Sequence, residues 1–265
     1  MIRLGTTSYI LPDDIIPNVR YLAPQVSDVE LVLFESREAS NLPSPRDVDI
    51  LRDIAHENNL TYTVHFPLDV YPGSADEAIR RRSVETYRRI ISLTQGLEPF
   101  AYVLHLTPEA WGEVPSSDMP RWLGQLDRSL DELLTGLGLP SQLFCAETLS
   151  YPFDLVLPLV LKHQLSVTLD VGHLWLMDYD ADSIAKRLLP LSPIVHIHGV
   201  KEGKDHQSLD VGDRKKVRAF LSLLAKQDQS DGKERVLTME VFDKDAFWAS
   251  KTLLETQEGS ILRTE

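Results

Sequence analysis

Eight short runs rich in Val, Leu, Ile and Tyr alternate along the chain with stretches patterned like helices, and that alternation constrains the fold more than any other feature. The runs are "IRLGTTSYI" from residue 2, "DVELVLFE" from 28, "LTYTVHF" from 60, "AYVLHL" from 101, "QLFCAET" from 142, "SVTLD" from 166, "IVHIHGV" from 194 and "RVLTMEVF" from 235. Several are nearly continuous in apolar residues, as the strands of a parallel sheet are when both faces are covered. Between them, Leu123, Leu126, Leu130, Leu133 and Leu134 make an apolar stripe at helical spacing. Val84, Tyr87, Ile90 and Ile91 make another, and Val217, Phe220, Leu221 and Leu224 a third. Ser44, Pro45 and Asp47 read as a helix cap, a first helical proline and a first-turn charge ahead of Val48, Leu51 and Ile54. Eight strands alternating with helices in 265 residues is the arithmetic of a (β/α)8 barrel of the α/β class, one domain over 1–265. A doubly wound open sheet is the rival arrangement. No Gly-, Ser- or Pro-rich linker divides the chain, and the only repeat is the βα alternation itself.

A hydrophobic content of 43% is enough for one large core. The net charge of -13 argues against nucleic acid, whose phosphates are held by clustered Lys and Arg. The one basic run, "RRRSVETYRR" at 80–89, reads as the solvated face of the third helix. A single cysteine, Cys145, excludes an internal disulfide, and "MIRLGTTSYI" has neither the basic start nor the apolar run of a signal peptide. The most apolar stretch, "FDLVLPLVL" at 153–161, is short for a membrane span and is broken by Pro158. These features lead us to expect a cytoplasmic protein acting on a small molecule, with neither nucleic acid nor membrane as partner. They leave the oligomeric state open.

In a barrel of this kind the active site lies where strands end and the following loops begin. Strand three ends in His65, strand four in His105, strand five in Glu147 and strand six in Asp170, with His173 just beyond. Strand seven ends in His196 and His198, strand eight in Glu240, and His206 follows in the loop after strand seven. Six of eight strands thus present His, Asp or Glu at the same end. Imidazole and carboxylate converging in this way suit a divalent ion such as Zn(II), Mn(II), Co(II) or Fe(II). Taken singly, each residue has a plainer reading: a hydrogen-bonded structural histidine, or, for Asp170 in "LDVGH", a helix cap. Six unrelated structural choices gathered in one desolvated mouth would leave charges unpaired at high cost. The ligand reading is therefore preferred for His65, His105, Glu147, Asp170, His173, His196, His206 and Glu240. His198 stays open, and His56 and His163 read as solvated surface.

Glu35 ending "ELVLFE", His65 in "VHFPL", His105 in "VLHL", Glu147 in "AET", "LDVGH", His196 in "VHIHG", His206 in "DHQSL" and Glu240 in "TMEVF" together resemble the xylose-isomerase-like barrels. That superfamily holds endonuclease IV, sugar isomerases and sugar epimerases. For the epimerases, the resemblance implies one ion held at positions matching Glu147, Asp170, His196 and Glu240, with the two glutamates exchanging the substrate proton. For endonuclease IV it implies three zinc ions, which also use positions matching His65, His105, His173 and His206. One to three divalent ions per chain are therefore expected. Because the additional histidines are present, the resemblance favours phosphate-ester hydrolysis, with Glu147 and Glu240 as catalytic groups.

One position departs from endonuclease IV, which has an aspartate two residues before the histidine matching His206. Here Lys204 stands at that place and Asp205 follows. Either Asp205 substitutes, or Lys204 contacts a substrate phosphate as a point charge. Further, "GTTSYILPDDIIPNVRYL", "DVELVLFE", "SNLPSP" and "LTYTVHFPLD" resemble the N-terminal half of the cobamide-remodelling phosphodiesterases. Those enzymes cut the phosphodiester between corrinoid and lower-ligand riboside, giving a cobinamide and a riboside phosphate. Tyr9, Phe66, Tyr151, Phe153 and Trp175 are candidate walls for the corrin ring, or else caps on the barrel core. The alternative functions are a single-metal sugar isomerase or epimerase, and a non-catalytic binding barrel or DNA repair enzyme.

Overall fold

In the computed structural model, which describes residues 1–35 and 40–257, the strands are β1 (Ile2–Thr7), β2 (Asp28–Val32), β3 (Thr61–His65), β4 (Ala101–Leu104) and β5 (Phe144–Glu147). They continue as β6 (Ser166–Asp170), β7 (Ile194–Ile197), β8 (Gly199–Lys201), β9 (Lys204–Gln207) and β10 (Arg235–Met239). All but β8 and β9 form one closed barrel in the order β1-β10-β7-β6-β5-β4-β3-β2. β1 pairs in parallel with both β10 and β2, so the sheet has no edge, and the open-sheet alternative falls. The chain is a single-domain (β/α)8 barrel.

Parallel neighbours need crossovers, and helices supply them: α1 (Ile15–Leu22), α2 (Pro45–Asn58), α3 (Glu77–Thr94), α4 (Met119–Leu134), α5 (Leu157–Lys162), α6 (Val171–Leu176), α7 (Ala181–Leu188), α8 (Arg214–Asp231) and α9 (Lys244–Gln257). At the start of α2 the side chains of Ser44 and Asp47 each accept the other's backbone N–H, so two otherwise orphaned donors are satisfied. The basic run on α3 is only partly solvated. Arg80 is fully buried, its guanidinium shared between Glu77, Glu132 and Ser129, which ties α3 to α4.

The period of two along each strand places the functional residues. Val195 and Ile197 belong to the large shell of apolar side chains beneath the helices. Ile194, Val236, Cys145, Val103 and Ala101 instead form a small separate cluster inside the barrel. Two residues further along the same faces come His196, Thr238, Glu147 and His105, and Glu240 follows Thr238 by two more. An apolar plug thus floors the barrel, and the polar residues stand above it.

Hairpin β8–β9, which the sequence pattern does not reveal as a separate element, leaves the barrel after β7. Its two-residue loop, Glu202 and Gly203, has φ of 54° and 73°, the left-handed pair a tight hairpin turn requires. Among the described residues no helix is long and apolar enough to cross a membrane.

Candidate metal centre

Four strands each contribute one buried atom that no hydrogen bond satisfies: Glu147 Oε1 from β5, Asp170 Oδ2 from β6, His196 Nδ1 from β7, and Glu240 Oε2 just past β10. From His196 Nδ1 the three oxygens lie at 3.4, 3.9 and 3.3 Å. Unpaired carboxylate oxygens in a dry interior are costly, and a bound cation removes that cost. Three oxygens and one imidazole nitrogen, within 4.8 Å of one another, fit a divalent ion of the zinc, manganese, cobalt or iron kind.

Asp170 uses its two oxygens separately. Oδ1 accepts the His173 backbone N–H at 2.8 Å and caps α6, while Oδ2 faces the cup, so both readings of "LDVGH" hold together. Gly172 in that motif is dictated by space. A Cβ there would stand 2.3 Å from the His198 ring, which packs directly onto the glycine.

Glu147 is divided in the same way. Its Oε2 lies 2.8 Å from His105 Nε2 and 3.3 Å from His65 Nε2, forming a second cup beside the first. A third group gathers His173, His198 and His206, with ring centroids 4.5–5.7 Å apart.

Hydrogen bonds on the outer side of the rings decide which nitrogens are free. His65 Nδ1 is 2.8 Å from the Phe66 carbonyl oxygen, and His173 Nδ1 is 3.0 Å from that of Thr148. A carbonyl only accepts, so each Nδ1 carries a proton and Nε2 is the nitrogen left to bind an ion once its own proton is lost. His206 Nδ1 faces Asp205 at 3.2 Å, leaving Nε2 towards Glu240, 3.5 Å away. His196 is reversed: Nε2–H donates to Glu30 at 2.9 Å and Nδ1 faces the cup. Metal-binding histidines are held by such outer acceptors. His198 differs, because its Nδ1 accepts the His206 backbone N–H at 3.0 Å. Its Nε2 is buried without a hydrogen-bond partner, 3.3 Å from Asp170 Oδ1.

The electrostatics show a centre that seeks positive charge. Burial alone would lower His65, yet the hydrogen bond to Glu147 and the charges of Glu30, Glu147 and Glu240 push it up to about 9. His206 rises to about 9 against burial through Glu240, Asp170 and Asp205. His196 is held well above its ordinary value against burial by Glu30, Glu240 and Glu147, and His173 is raised against burial chiefly by Asp170. Against the upward push of burial, His105 and His196 hold Glu147 well below the usual carboxylate range, as His196 and His206 do for Glu240.

The structure thus gathers His65, His105, Glu147, Asp170, His173, His196, His206 and Glu240 in one barrel mouth. Glu35 is in none of these groups and pairs with Arg89 at 2.6 Å. Lys204 is exposed on the hairpin. His163, expected at the surface, is buried with Nε2 2.7 Å from Asp127. Phe66, Tyr151 and Phe153 are core residues, not walls, and Trp175 packs edge-on against Phe220. Period two explains Phe66: if His65 points inward, its neighbour points out. The exposed aromatic rings of Trp111 and Phe242 lie 6.4 Å from His173 and 5.1 Å from His206, while Tyr9, also exposed, packs edge-on against Phe34. Sequence reasoning misses Glu30 altogether. Its only sequence signal is that Asp28 and Glu30 alternate in a strand otherwise apolar.

No protein-family model matches the chain, and no curated protein does. Solved structures do. A D-tagatose 3-epimerase-like protein matches with 20% identity and a TM-score of 0.75, over 98% of this chain and 100% of that one. The 3-keto-D-glucoside 4-epimerase of E. coli matches at 14% identity and TM-score 0.73, over 97% and 98%. Endonuclease IV from Thermus thermophilus matches at 18% identity and TM-score 0.68, over 96% and 99%. At such identities the likeness is one of fold, the closed eight-stranded parallel barrel with helices between its strands.

Proposed function

We propose that the chain is a metal-dependent phosphodiester hydrolase. The observation that carries this reading is the division of Glu147, whose Oε1 faces Asp170, His196 and Glu240 while Oε2 faces His65 and His105. One carboxylate therefore serves two adjacent cups, and a single-ion proton-transfer enzyme has a use for only the first. Divalent ions, when bound, supply charge that stabilises a transferring phosphoryl group and makes water nucleophilic near neutral pH. The chain's own groups do the rest. Phe66, Thr148, Glu30 and Asp205 fix the rings, and the apolar plug beneath keeps the floor dry. We assign Lys204, beside His206 on the hairpin, to a non-bridging phosphate oxygen. Water forms the new bond to phosphorus, and the P–O bond to the departing alcohol breaks.

The rim suggests what carries the phosphate. Tyr9, Leu68, Trp111, Val114 and Phe242 are exposed in the loops that follow barrel strands, and they offer apolar surface to a large amphipathic body around a single phosphodiester. With the resemblance of the N-terminal half to cobamide-remodelling phosphodiesterases, the substrate class we propose is a cobamide.

The occurrence of both Glu147 and Glu240 in the first cup favours a second reading, sugar epimerisation, in which two carboxylates exchange one proton. The deciding assay incubates metal-loaded protein anaerobically with coenzyme B12 and, in parallel, with ketohexoses. Cobinamide and a riboside phosphate are the expected products. No cleavage of any cobamide, together with interconversion of ketoses, would replace the hydrolase with the epimerase.

A further inference from the structure

Glu30 lies in the middle of β2, fully buried, in a position the ligand pattern at the strand ends does not explain. Its Oε2 accepts the Nε2–H of His196 at 2.9 Å, across 166 residues of sequence. The two strands are not neighbours: β1 and β10 stand between β2 and β7 in the barrel order, so the bond spans the interior. His196 is fully buried as well, so no bulk water competes for that ring nitrogen. A carboxylate can only accept, which places the proton on Nε2 and leaves Nδ1 as the lone-pair nitrogen. That Nδ1 is the atom at 3.3–3.9 Å from the free oxygens of Glu147, Asp170 and Glu240.

We propose that Glu30 is a positioning residue for the metal centre, holding His196 in the tautomer and orientation that turn Nδ1 into the four-residue cup. The inference rests on reading that cup as a metal site. A buried carboxylate is an expensive way to fill barrel space, and the other oxygen of Glu30 has no hydrogen-bond partner. Packing does not call for it. Orientation of a ligand ring does, and an outer acceptor of this kind typically changes metal affinity about 10–100-fold. His65 and His173 are held from outside by backbone carbonyls and His206 by the half-buried Asp205, whereas the outer acceptor of His196 is a fully buried carboxylate. Glu30 also stands close to His65 and Glu240, close enough for a ligand role of its own, and the test separates the two roles.

The experiment compares the full-length protein with Glu30→Gln and Glu30→Leu. Zinc and manganese affinity and stoichiometry are measured by competition with a chromogenic chelator. Long-range 15N–1H correlations of the zinc-loaded protein report which His196 nitrogen carries the proton. Gln is nearly isosteric, so it decides the matter even if the Leu variant does not fold. Both variants should bind as many ions as the wild type at saturating metal, but hold the weakest about 10–100-fold less tightly, Leu more so than Gln. The His196 Nε2 proton should be visible in the wild type and lost or shifted in the variants. Unchanged affinity in both variants overturns the positioning role and leaves the cup intact. Loss of one ion at saturating metal makes Glu30 a ligand and also overturns it. Absence of divalent binding by the wild type overturns the metal reading itself and this inference with it.

Discussion

Asp28 should make the barrel's stability depend on pH independently of the metal centre. It lies at the start of β2, fully buried, with Oδ2 2.6 Å from the Thr61 hydroxyl and Oδ1 unpaired. Burial pushes its carboxyl from 3.8 up to about 7; hydrogen bonds from Thr61 and Thr63 pull it down, Glu30 pushes it up, and Arg3 pulls it down. The folded protein therefore holds this proton more tightly than the unfolded chain. The contribution is complete below about pH 4 and is lost as pH rises through about 7. A shift of some three units at 1.36 kcal/mol each makes the loss on the order of 4 kcal/mol. Asp28→Asn keeps the shape, and no proton is gained or lost. Urea unfolding of both proteins, stripped of metal, from pH 4 to 8.5 gives the difference in stability, in which titration of the shared cup residues cancels. The difference should move in favour of the Asn variant by about 1.4 kcal/mol per pH unit between 4 and 7, then level off. Parallel curves for the two proteins would refute the reasoning.

Gly172→Ala drives a Cβ to within 2.3 Å of the His198 ring, which is itself held by the His206 backbone N–H. We expect a loss of about 1–3 kcal/mol in a thermal melt together with weakened metal binding; an unchanged melt would mean the ring gives way freely. Metal uptake at pH 7 should release protons, because His65 and His206, each raised to about 9, carry them in the metal-free centre. Calorimetry in buffers of different ionisation enthalpy measures the release, which should vanish above about pH 9; no buffer dependence at pH 7 would contradict the assignment.

The barrel is legible in the sequence because both of its periods are written plainly: near-continuous apolar strands, and helix stripes such as the one from Leu123 to Leu134. The strand-end residues are legible because the C-terminal rim is where polar residues interrupt those runs. Glu30 is not, since it sits in mid-strand, where an inward carboxylate is recognised only once its partner 166 residues away is known. The hairpin is hidden because "VKEGKDH" has no apolar alternation, its turn being set by backbone angles at Glu202 and Gly203. His163 reads as surface for a related reason: Asp127, 36 residues earlier, pairs with it from another helix. Long-range polar pairing leaves no local periodic trace, and both Glu30 and His163 depend on it.

The central claim is that Glu147 is shared between two metal sites. Crystals grown with zinc, with diffraction recorded on both sides of the zinc absorption edge, test it directly. The account predicts at least two anomalous peaks, one on either side of the Glu147 carboxylate and about 3.5–4 Å apart. A single peak, enclosed by Glu147, Asp170, His196 and Glu240 with His65 and His105 left free, would contradict it.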